Sequence, residues 1–172
     1  MIVLKTKHEL EAMRDACKIS AQALQYAGEL VKPGLTTGEL DLKIEHFIRS
    51  QGAVPSFKGY GGFTGSACLS INNEIIHGIP SPHRIIHEGD IVSLDAGVIY
   101  KGYHSDAART YGVGEISKEA KNLMQITKET FWWLLSKNGE DISVDMLYDP
   151  ETNIKYGTYF LSILYEEFGS WD

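Results

Sequence analysis

The stretch SLDAGVIYKGYHSDAART, residues 93–110, decides the fold prediction for this chain. Residues typical of strands lie on both sides of the dipeptide Lys101-Gly102, and glycine readily adopts the positive φ that a tight hairpin turn requires. The stretch therefore predicts two antiparallel strands joined by a short turn. Each strand carries one aspartate, Asp95 or Asp106, where a sheet would normally bury an apolar side chain.

The length of the turn decides how the two aspartates are placed. A two-residue turn at Lys101-Gly102 puts Asp95 opposite Ala108. The same register puts Asp106 opposite Gly97, so both carboxylates lie on one face as diagonal neighbours, roughly 7–8 Å apart at the backbone. A four-residue turn would place them directly opposite each other, and an odd-length turn would separate them onto different faces. Two of these three registers therefore bring the carboxylates together.

The pair Asp95 and Asp106 has two interpretations. Like charges on one half-buried face destabilise a protein unless a shared proton or a bound cation compensates them. Carboxylates around a pair of divalent metals, about 3.5–4 Å apart, are a common solution in hydrolytic enzymes. Alternatively, each aspartate could end its strand, bonded to turn amides or paired with Arg109. Spacing alone leaves both interpretations open.

Five more side chains are candidates for a site or for ordinary packing. His77 closes a predicted strand before a Gly-x-Pro turn, where an imidazole at the edge of a loop can reach a site or simply be solvated. His104 lies two positions before the second aspartate and shares its face, although a surface role fits it equally well. Tyr60, Phe63 and Cys68 could line an apolar pocket or pack in the core.

Two amphipathic helices are predicted before the hairpin. Thr6 and Glu9 form a capping box ahead of apolar residues at helical spacing, and Pro33-Gly34 ends that pattern. The apolar positions of this helix are Leu10, Met13, Cys17, Leu24, Ala27 and Val31. Thr36 and Glu39 repeat the capping signal, and the stripe of the second helix comprises Leu40, Ile44, Phe47 and Ile48.

A sheet and a third helix are predicted next. Residues 54–114 are rich in β-branched and aromatic side chains punctuated by glycine, with apolar runs in CLSINNEIIHGIP (68–80) and DIVSLDAGVIY (90–100). EISKEAKNLMQITKETFWWLLSK (115–137) then has helical periodicity, with a cap near Ser117. The predicted order is α-α-β-β-β-α, an α+β fold.

The composition is that of an ordinary globular protein. The 172 residues suit one domain, or one and a fraction, and 43% are apolar. A net charge of −7 argues against nucleic acid as the main partner, because phosphate binding relies on clustered Lys and Arg. Two distant cysteines do not indicate a disulfide framework. The sequence shows neither a membrane-length apolar run nor a signal-peptide core, so we expect a cytoplasmic protein.

The end of the chain differs from the rest in charge. Residues 137–172 hold eight acids and two bases, together with several aromatic residues. Such a shift in composition marks a candidate boundary. We therefore expect one domain over residues 1–135 and a divergent acidic, aromatic tail over residues 136–172.

Two motifs together carry a resemblance to a known family. GYGGFTGSACLSINNEIIHGIP (59–80), followed by GDIVSLDAGVIYKGYHSDAART (89–110), resembles the methionine aminopeptidases, specifically the type I, bacterial-type enzymes of the pita-bread fold. The resemblance extends from about residue 1 to about residue 130. It implies that the α+β prediction corresponds to the N-terminal half of a pita-bread fold.

The resemblance also implies a role for individual residues. Asp95 would be the bidentate ligand of one metal, and Asp106 the carboxylate that bridges two metals. His77 would be the catalytic histidine that contacts the substrate near the scissile bond. The pocket for the methionine side chain would be lined by Tyr60, Phe63 and Cys68, with Phe63 standing where many relatives have tyrosine. The implied cofactors are two divalent ions, Co, Mn, Fe or Zn, and the implied substrate is the N-terminal methionine of peptides or nascent chains.

The chain departs from the family pattern after the hairpin. The family completes its site with one histidine, in a Gly-His-Gly context, and two glutamates from a second half of the fold, whereas the last histidine here is His104. We therefore expect an incomplete methionyl aminopeptidase, for which a partner chain could supply the missing half. The alternatives are an inactive, truncated or frameshifted half-domain and a non-catalytic binding module of the same fold.

Overall fold

A computed structural model gives the fold of the chain and describes residues 4–136, with side chains through residue 129. The predicted acidic tail, residues 136–172, therefore lies almost wholly outside the described residues. Residues 1–120 form one compact unit, and the described part of the second unit is the remainder of the third helix. All the predicted site residues belong to residues 1–120.

The described residues form three helices, four strands and one short 3₁₀ turn. In chain order these are α1 (Lys7–Leu30), α2 (Thr37–Ser50), β1 (Val54–Pro55), the 3₁₀ turn (Tyr60–Gly62), β2 (Cys68–Ile71), β3 (Ile91–Tyr100), β4 (Tyr103–Gly112) and α3 (Lys118–Ser136). The predicted α+β order is confirmed, with the two-residue strand β1 added at its centre.

All three predicted helix starts are confirmed. Thr6 caps α1 and Thr36 caps α2, each through a complete capping box in which the threonine side chain and a glutamate three residues later bond each other's main-chain N–H groups. Ser117 Oγ accepts a hydrogen bond of 3.0 Å from the Ala120 N–H at the start of α3. These caps satisfy N–H groups that the first turn of a helix leaves unpaired.

The predicted buried stripe is right for α2 and only partly right for α1, where Leu24 and Ala27 are buried as predicted. Leu40, Ile44 and Ile48 are fully buried along α2. In α1, Cys17 is exposed, and the buried face consists mainly of small residues. These are Ala12, Ala16, Ile19, Ser20, Ala23, Leu24 and Ala27. Small side chains let a helix lie close to the sheet. The buried face of α1 is therefore determined by the space available next to the sheet and not by the positions of its largest apolar residues.

The sheet is antiparallel, with β3 in the middle. Along one edge β3 pairs with β1 near its C-terminal end and with β2 near its start, and along the other edge it pairs with β4 over its full length. Val92, Leu94, Ala96 and Val98 are fully buried in one core with residues of α1 and α2. Because side chains alternate along a strand, Asp95 and Gly97 belong to the opposite face.

Strand β2 is shorter than the apolar run CLSINNEIIHGIP predicts. It ends at Ile71, because Asn72 adopts a left-handed conformation with φ 54° and starts a turn. The chain then folds back, so that the Leu69 N–H donates to the Gly78 carbonyl at 2.8 Å. His77 therefore lies in this returning loop and does not close a strand. Nearby Ile76 is largely exposed.

Over the portion of the chain that the structure describes, no helix is long and apolar enough to cross a bilayer.

Candidate metal centre

The hairpin has a two-residue turn, which is one of the turn lengths considered from the sequence. Tyr100 pairs with Tyr103, and the turn residues Lys101 and Gly102 have φ values of 51° and 82°. Positive φ at both central positions is the mark of a type I′ turn, whose twist matches that of the flanking strands. A lysine at the first of these positions is less usual than asparagine or aspartate.

This register places both carboxylates on one face of the sheet. Asp95 pairs with Ala108, and Asp106 pairs with Gly97, so the two aspartates are diagonal neighbours. The main chain on both sides continues as regular strand, so neither aspartate ends its strand. The interpretation as strand-end residues is therefore wrong.

One carboxylate oxygen of Asp95 lacks a hydrogen-bond partner. Its Oδ1 is buried and has no hydrogen-bond partner among the described residues. Burial raises the pKa of Asp95 to about 6, the neighbouring Asp106 adds to the rise, and His77 opposes it. A buried oxygen that is left unpaired calls for a proton or a cation.

Cys68 lies on the other side of Asp95, directly opposite it in β2. The thiol is buried, and its burial, followed by the charges of Asp95 and Asp106, raises the pKa of Cys68 to about 11. The thiolate is the form that binds metals and attacks substrates. Cys68 is therefore a neutral, weakly polar wall of the site at physiological pH.

The remaining predicted site residues are spread around this face. His77 is exposed, has a φ of 58°, and is close enough to Asp95 to lower its pKa. The loop that carries it is fixed to β2, because the Gly78 N–H donates to Ser70 Oγ at 3.0 Å. Tyr60, in the 3₁₀ turn, is 83% exposed, and Phe63 is half-buried.

A cavity of about 300 Å³ opens beside Asp106. Its lining consists of Ser56, Phe57, Tyr60, His104, Ser105 and Asp106. Of the predicted pocket residues the cavity includes Tyr60, whereas Phe63, Cys68 and His77 do not line it. Ser56 and Phe57 were missed by the sequence analysis, because they follow a strand of two residues that no periodic pattern reveals.

Asp41 was also missed and holds the loop that leads to Cys68. It is buried on the apolar face of α2, and its Oδ1 accepts hydrogen bonds from the Ser66 N–H at 2.8 Å and the Ala67 N–H at 2.9 Å. Burial raises the pKa of Asp41, and these two bonds oppose the rise. An aspartate on the same helix face as Leu40 and Ile44 was a signal that could have revealed this anchor.

The described residues fit a metal site in part. Two neighbouring carboxylates, one with an unpaired buried oxygen, are donors that suit divalent ions. Between residues 4 and 136, however, no group of three or more His, Cys, Asp or Glu side chains is arranged to hold a metal. The hairpin is therefore suited to supply some of the ligands of a metal and not all of them.

Comparison with known families gives one match that covers most of the chain. The model of metallopeptidase family M24 matches residues 11–148. This range contains both aspartates of the hairpin and every other predicted site residue.

Curated relatives match the chain over about half of their own length. A methionine aminopeptidase from Clostridium acetobutylicum is 54% identical over 132 residues, which are 77% of this chain and 53% of the relative. Methionine aminopeptidase 1 from Bacillus subtilis is 48% identical over 145 residues, 83% of this chain and 58% of the relative. The match in sequence is thus strong and confined to one part of these proteins.

Solved structures give the same picture. The methionine aminopeptidase from Thermotoga maritima superposes with a TM-score of 0.75 at 37% identity, over 80% of this chain and 55% of that one. A prolidase from Pyrococcus furiosus superposes with a TM-score of 0.67 at 28% identity, over 77% of this chain and 38% of that one. The fold of the matched part is therefore shared with enzymes of two kinds.

Proposed function

Because the chain belongs to metallopeptidase family M24, we propose that it provides the carboxylate-bearing half of a methionyl aminopeptidase. The whole site would release the N-terminal methionine of peptides or nascent chains, in the cytoplasm. The family resemblance predicted from the two motifs is confirmed, and so is the α+β, pita-bread fold class. The activity, substrate and cellular location are the proposal.

The observation that carries this proposal is that Asp95 and Asp106 lie next to each other, as diagonal neighbours, on the same face of the hairpin. Asp95 would hold one divalent ion, and Asp106 would bridge two. The unpaired Oδ1 of Asp95 supports a cation in this position, because a bound ion would satisfy it. Divalent ions held in this way supply Lewis acidity for peptide hydrolysis.

His77 is proposed as the residue that contacts the substrate near the scissile bond. Two observations support this role: its charge acts on Asp95, and its φ of 58° is uncommon for a residue with a side chain. Backbone conformations of this kind are held in place by their surroundings and cluster at functional sites. The bond from Gly78 to Ser70 supplies such a constraint.

Tyr60, Phe63 and Cys68 are proposed to contact the methionine side chain. Cys68 suits this role because its raised pKa keeps the thiol neutral next to the carboxylates. A polarisable, uncharged sulfur and two aromatic rings form a surface on which a thioether packs well.

The ligands beyond the two aspartates need a source. The family pattern adds one histidine and two glutamates, and within the described residues no third His, Cys, Asp or Glu is arranged to hold a metal together with the two aspartates. We propose that a partner chain supplies them. The same observation favours a second candidate, a non-catalytic half-domain, which would fold without turning over peptides.

Metal titration tests the proposed carboxylate site. Calorimetry of the 172-residue chain with Mn²⁺ or Co²⁺ should show binding that Asp95→Asn and Asp106→Asn each weaken at least about tenfold, because each removes a charged ligand. Asp15 is a surface carboxylate paired with Lys101, so Asp15→Asn is the matched control. This variant should bind the metal ions as the wild type does.

Methionine release from the peptide Met-Ala-Ser is measured with the same metals. Release that depends on both aspartates supports the aminopeptidase. Metal binding without release by the chain alone fits both candidates, which are then separated by adding the other half of the fold, and wild-type protein that binds neither ion contradicts the metal proposal.

A further inference from the structure

Gly97 makes room for a second chain segment beside the hairpin. A Cβ atom at this position would lie 2.7 Å from the Ser105 carbonyl oxygen, 2.8 Å from the Phe57 ring and 3.0 Å from Ser56 Cβ. The bare backbone instead lets the Ser56 N–H donate to the Gly97 carbonyl at 2.9 Å. Since Gly97 is the partner of Asp106, Ser56 and Phe57 are held next to that carboxylate.

Ser56 forms a hydrogen bond with an exposed histidine on the hairpin. Ser56 Oγ lies 2.8 Å from His104 Nδ1, and the two residues are 48 positions apart in sequence. Among the described residues Ser56 is the hydrogen-bond partner of this ring, which leaves Nε2 for a ligand. In a neutral imidazole, Nε2 donates when the serine donates to Nδ1 and accepts when it does not, so either tautomer offers one hydrogen bond.

The ring borders the cavity beside Asp106, together with the aromatic side chains of Phe57 and Tyr60. Apolar surface with a few fixed polar groups is typical of sites that bind small ligands. A ligand that fits has an apolar side chain and a main-chain amide within a few ångströms of each other, which describes a short peptide.

We propose that Ser56 and His104 form a peptide-positioning pair. Ser56 fixes the orientation of the imidazole ring, and His104 Nε2 hydrogen-bonds a main-chain group of a peptide that occupies the cavity beside Asp106. Fixing the ring in advance reduces the side-chain entropy lost on binding, so the pair contributes more to affinity than a mobile histidine would. The inference rests on the proposed function for the identity of the ligand, a peptide with N-terminal methionine.

A purely structural role predicts something different. If the bond serves only to fasten β1 to the hairpin, its loss would lower the melting temperature and leave peptide affinity unchanged. The affinity for a peptide, measured beside the melting temperature, is therefore the readout that separates the two roles.

The test is calorimetric titration of the full chain with Met-Ala-Ser, with and without Mn²⁺. Losing one hydrogen bond to a ligand weakens binding about five- to tenfold, which we expect for His104→Ala. Ser56→Ala should weaken binding about threefold, because the ring remains and only its orientation is released. His104→Gln should recover part of the affinity, since its amide can reach the position of Nε2. His83→Ala changes another exposed histidine and is the matched control, expected to bind as the wild type does.

Three results would overturn the inference: wild-type chain that does not bind the peptide, His104→Ala with wild-type affinity, or affinity losses matched by His83→Ala. Because the titration is run without metal as well, it is informative even if Mn²⁺ does not bind. Failure of metal binding would then count against the proposed function alone. The glutamine variant keeps the test valid if the alanine variant does not fold.

Discussion

At the scale of single residues, the ionised carboxylate of Asp95 destabilises the folded chain near neutral pH. Its pKa is about 6 in the folded chain, above the ordinary value of 3.8. The folded state therefore keeps this proton to a higher pH than the unfolded state does. It follows that the stability from this group is fully present below about pH 4, is lost as the pH rises to about 6, and stays lost above that.

Asp95→Asn should stabilise the metal-free chain at pH 7.5, because the amide carries no charge to desolvate. The carboxylate is partly solvated and its charge is screened, so we expect a rise in melting temperature of roughly 2–4 °C. Circular dichroism in the presence of EDTA measures the difference. It should shrink as the pH falls and approach zero at about pH 3, below both pKa values, where both states of the wild type are largely protonated.

Asp15→Asn provides the comparison, because it removes an equal charge from the surface. A variant of Asp95 that melts at or below the wild type at pH 7.5 would contradict the prediction.

The placement of the two aspartates could be predicted from the sequence, whereas the contact of Ser56 with His104 could not. The positions of Asp95 and Asp106 follow from strand periodicity and turn length, which are local properties of the hairpin. Ser56 reaches His104 from 48 residues away, through a space that exists only because Gly97 lacks a side chain. Contacts of this kind depend on how separate segments pack, and no local pattern encodes them.

At the scale of elements, α1 and α2 show why one buried face was predictable in full and the other only in part. Large aliphatic residues mark the buried face of α2, so their spacing gives its orientation. The buried face of α1 is mostly alanine, which contrasts weakly with its surroundings. Close packing explains the choice: the Tyr111 ring occupies the space over Gly28, and its hydroxyl donates to the Leu24 carbonyl at 2.8 Å.

Ala23→Leu should therefore destabilise the chain more than a change at the predicted position Cys17. Ala23 is fully buried between α1 and the rest of the core, and extra methylenes in a well-packed core cost about 1–3 kcal/mol. Cys17→Ser alters an exposed side chain and should change the free energy of unfolding by less than about 0.5 kcal/mol. Urea denaturation followed by fluorescence measures both. Equal effects would mean that the buried face is placed wrongly.

The connection between α2 and β2 depends on Asp41. Asp41→Ala leaves the Ser66 and Ala67 N–H groups without their acceptor, which should cost about 1–3 kcal/mol of stability. Asp41→Asn keeps one acceptor oxygen and removes the charge, so its cost should be smaller. Chemical denaturation of the two variants gives the difference, and an alanine variant as stable as the wild type would show that these bonds are dispensable.

At the scale of the whole molecule, the chain spans about half the length of its curated relatives, 53% in the Clostridium acetobutylicum enzyme. The sequence was sufficient to predict the family and two carboxylates of the site. It could not reveal the remaining ligands, because the family pattern places them in a half of the fold that this sequence does not match.

Complementation tests whether the missing half can be added. The part of the Bacillus subtilis relative that this chain does not match should, when mixed with the chain and Mn²⁺, increase methionine release from Met-Ala-Ser at least about tenfold over either piece alone. The increase should disappear with Asp106→Asn and persist with Asp15→Asn. No increase at micromolar concentrations of both pieces would contradict the idea that a partner completes the site.

The two-residue turn has a consequence for the order of events in folding. Both aspartates lie on one hairpin, eleven positions apart, so they meet as soon as it closes, on the order of 1–10 μs for an isolated hairpin. Their repulsion therefore acts on an early, local step, before β2 and the helices enclose it. Near neutral pH the repulsion between the two carboxylates should therefore appear mainly as slower folding, whereas the larger cost of burying Asp95 arises later, as the rest of the fold encloses it.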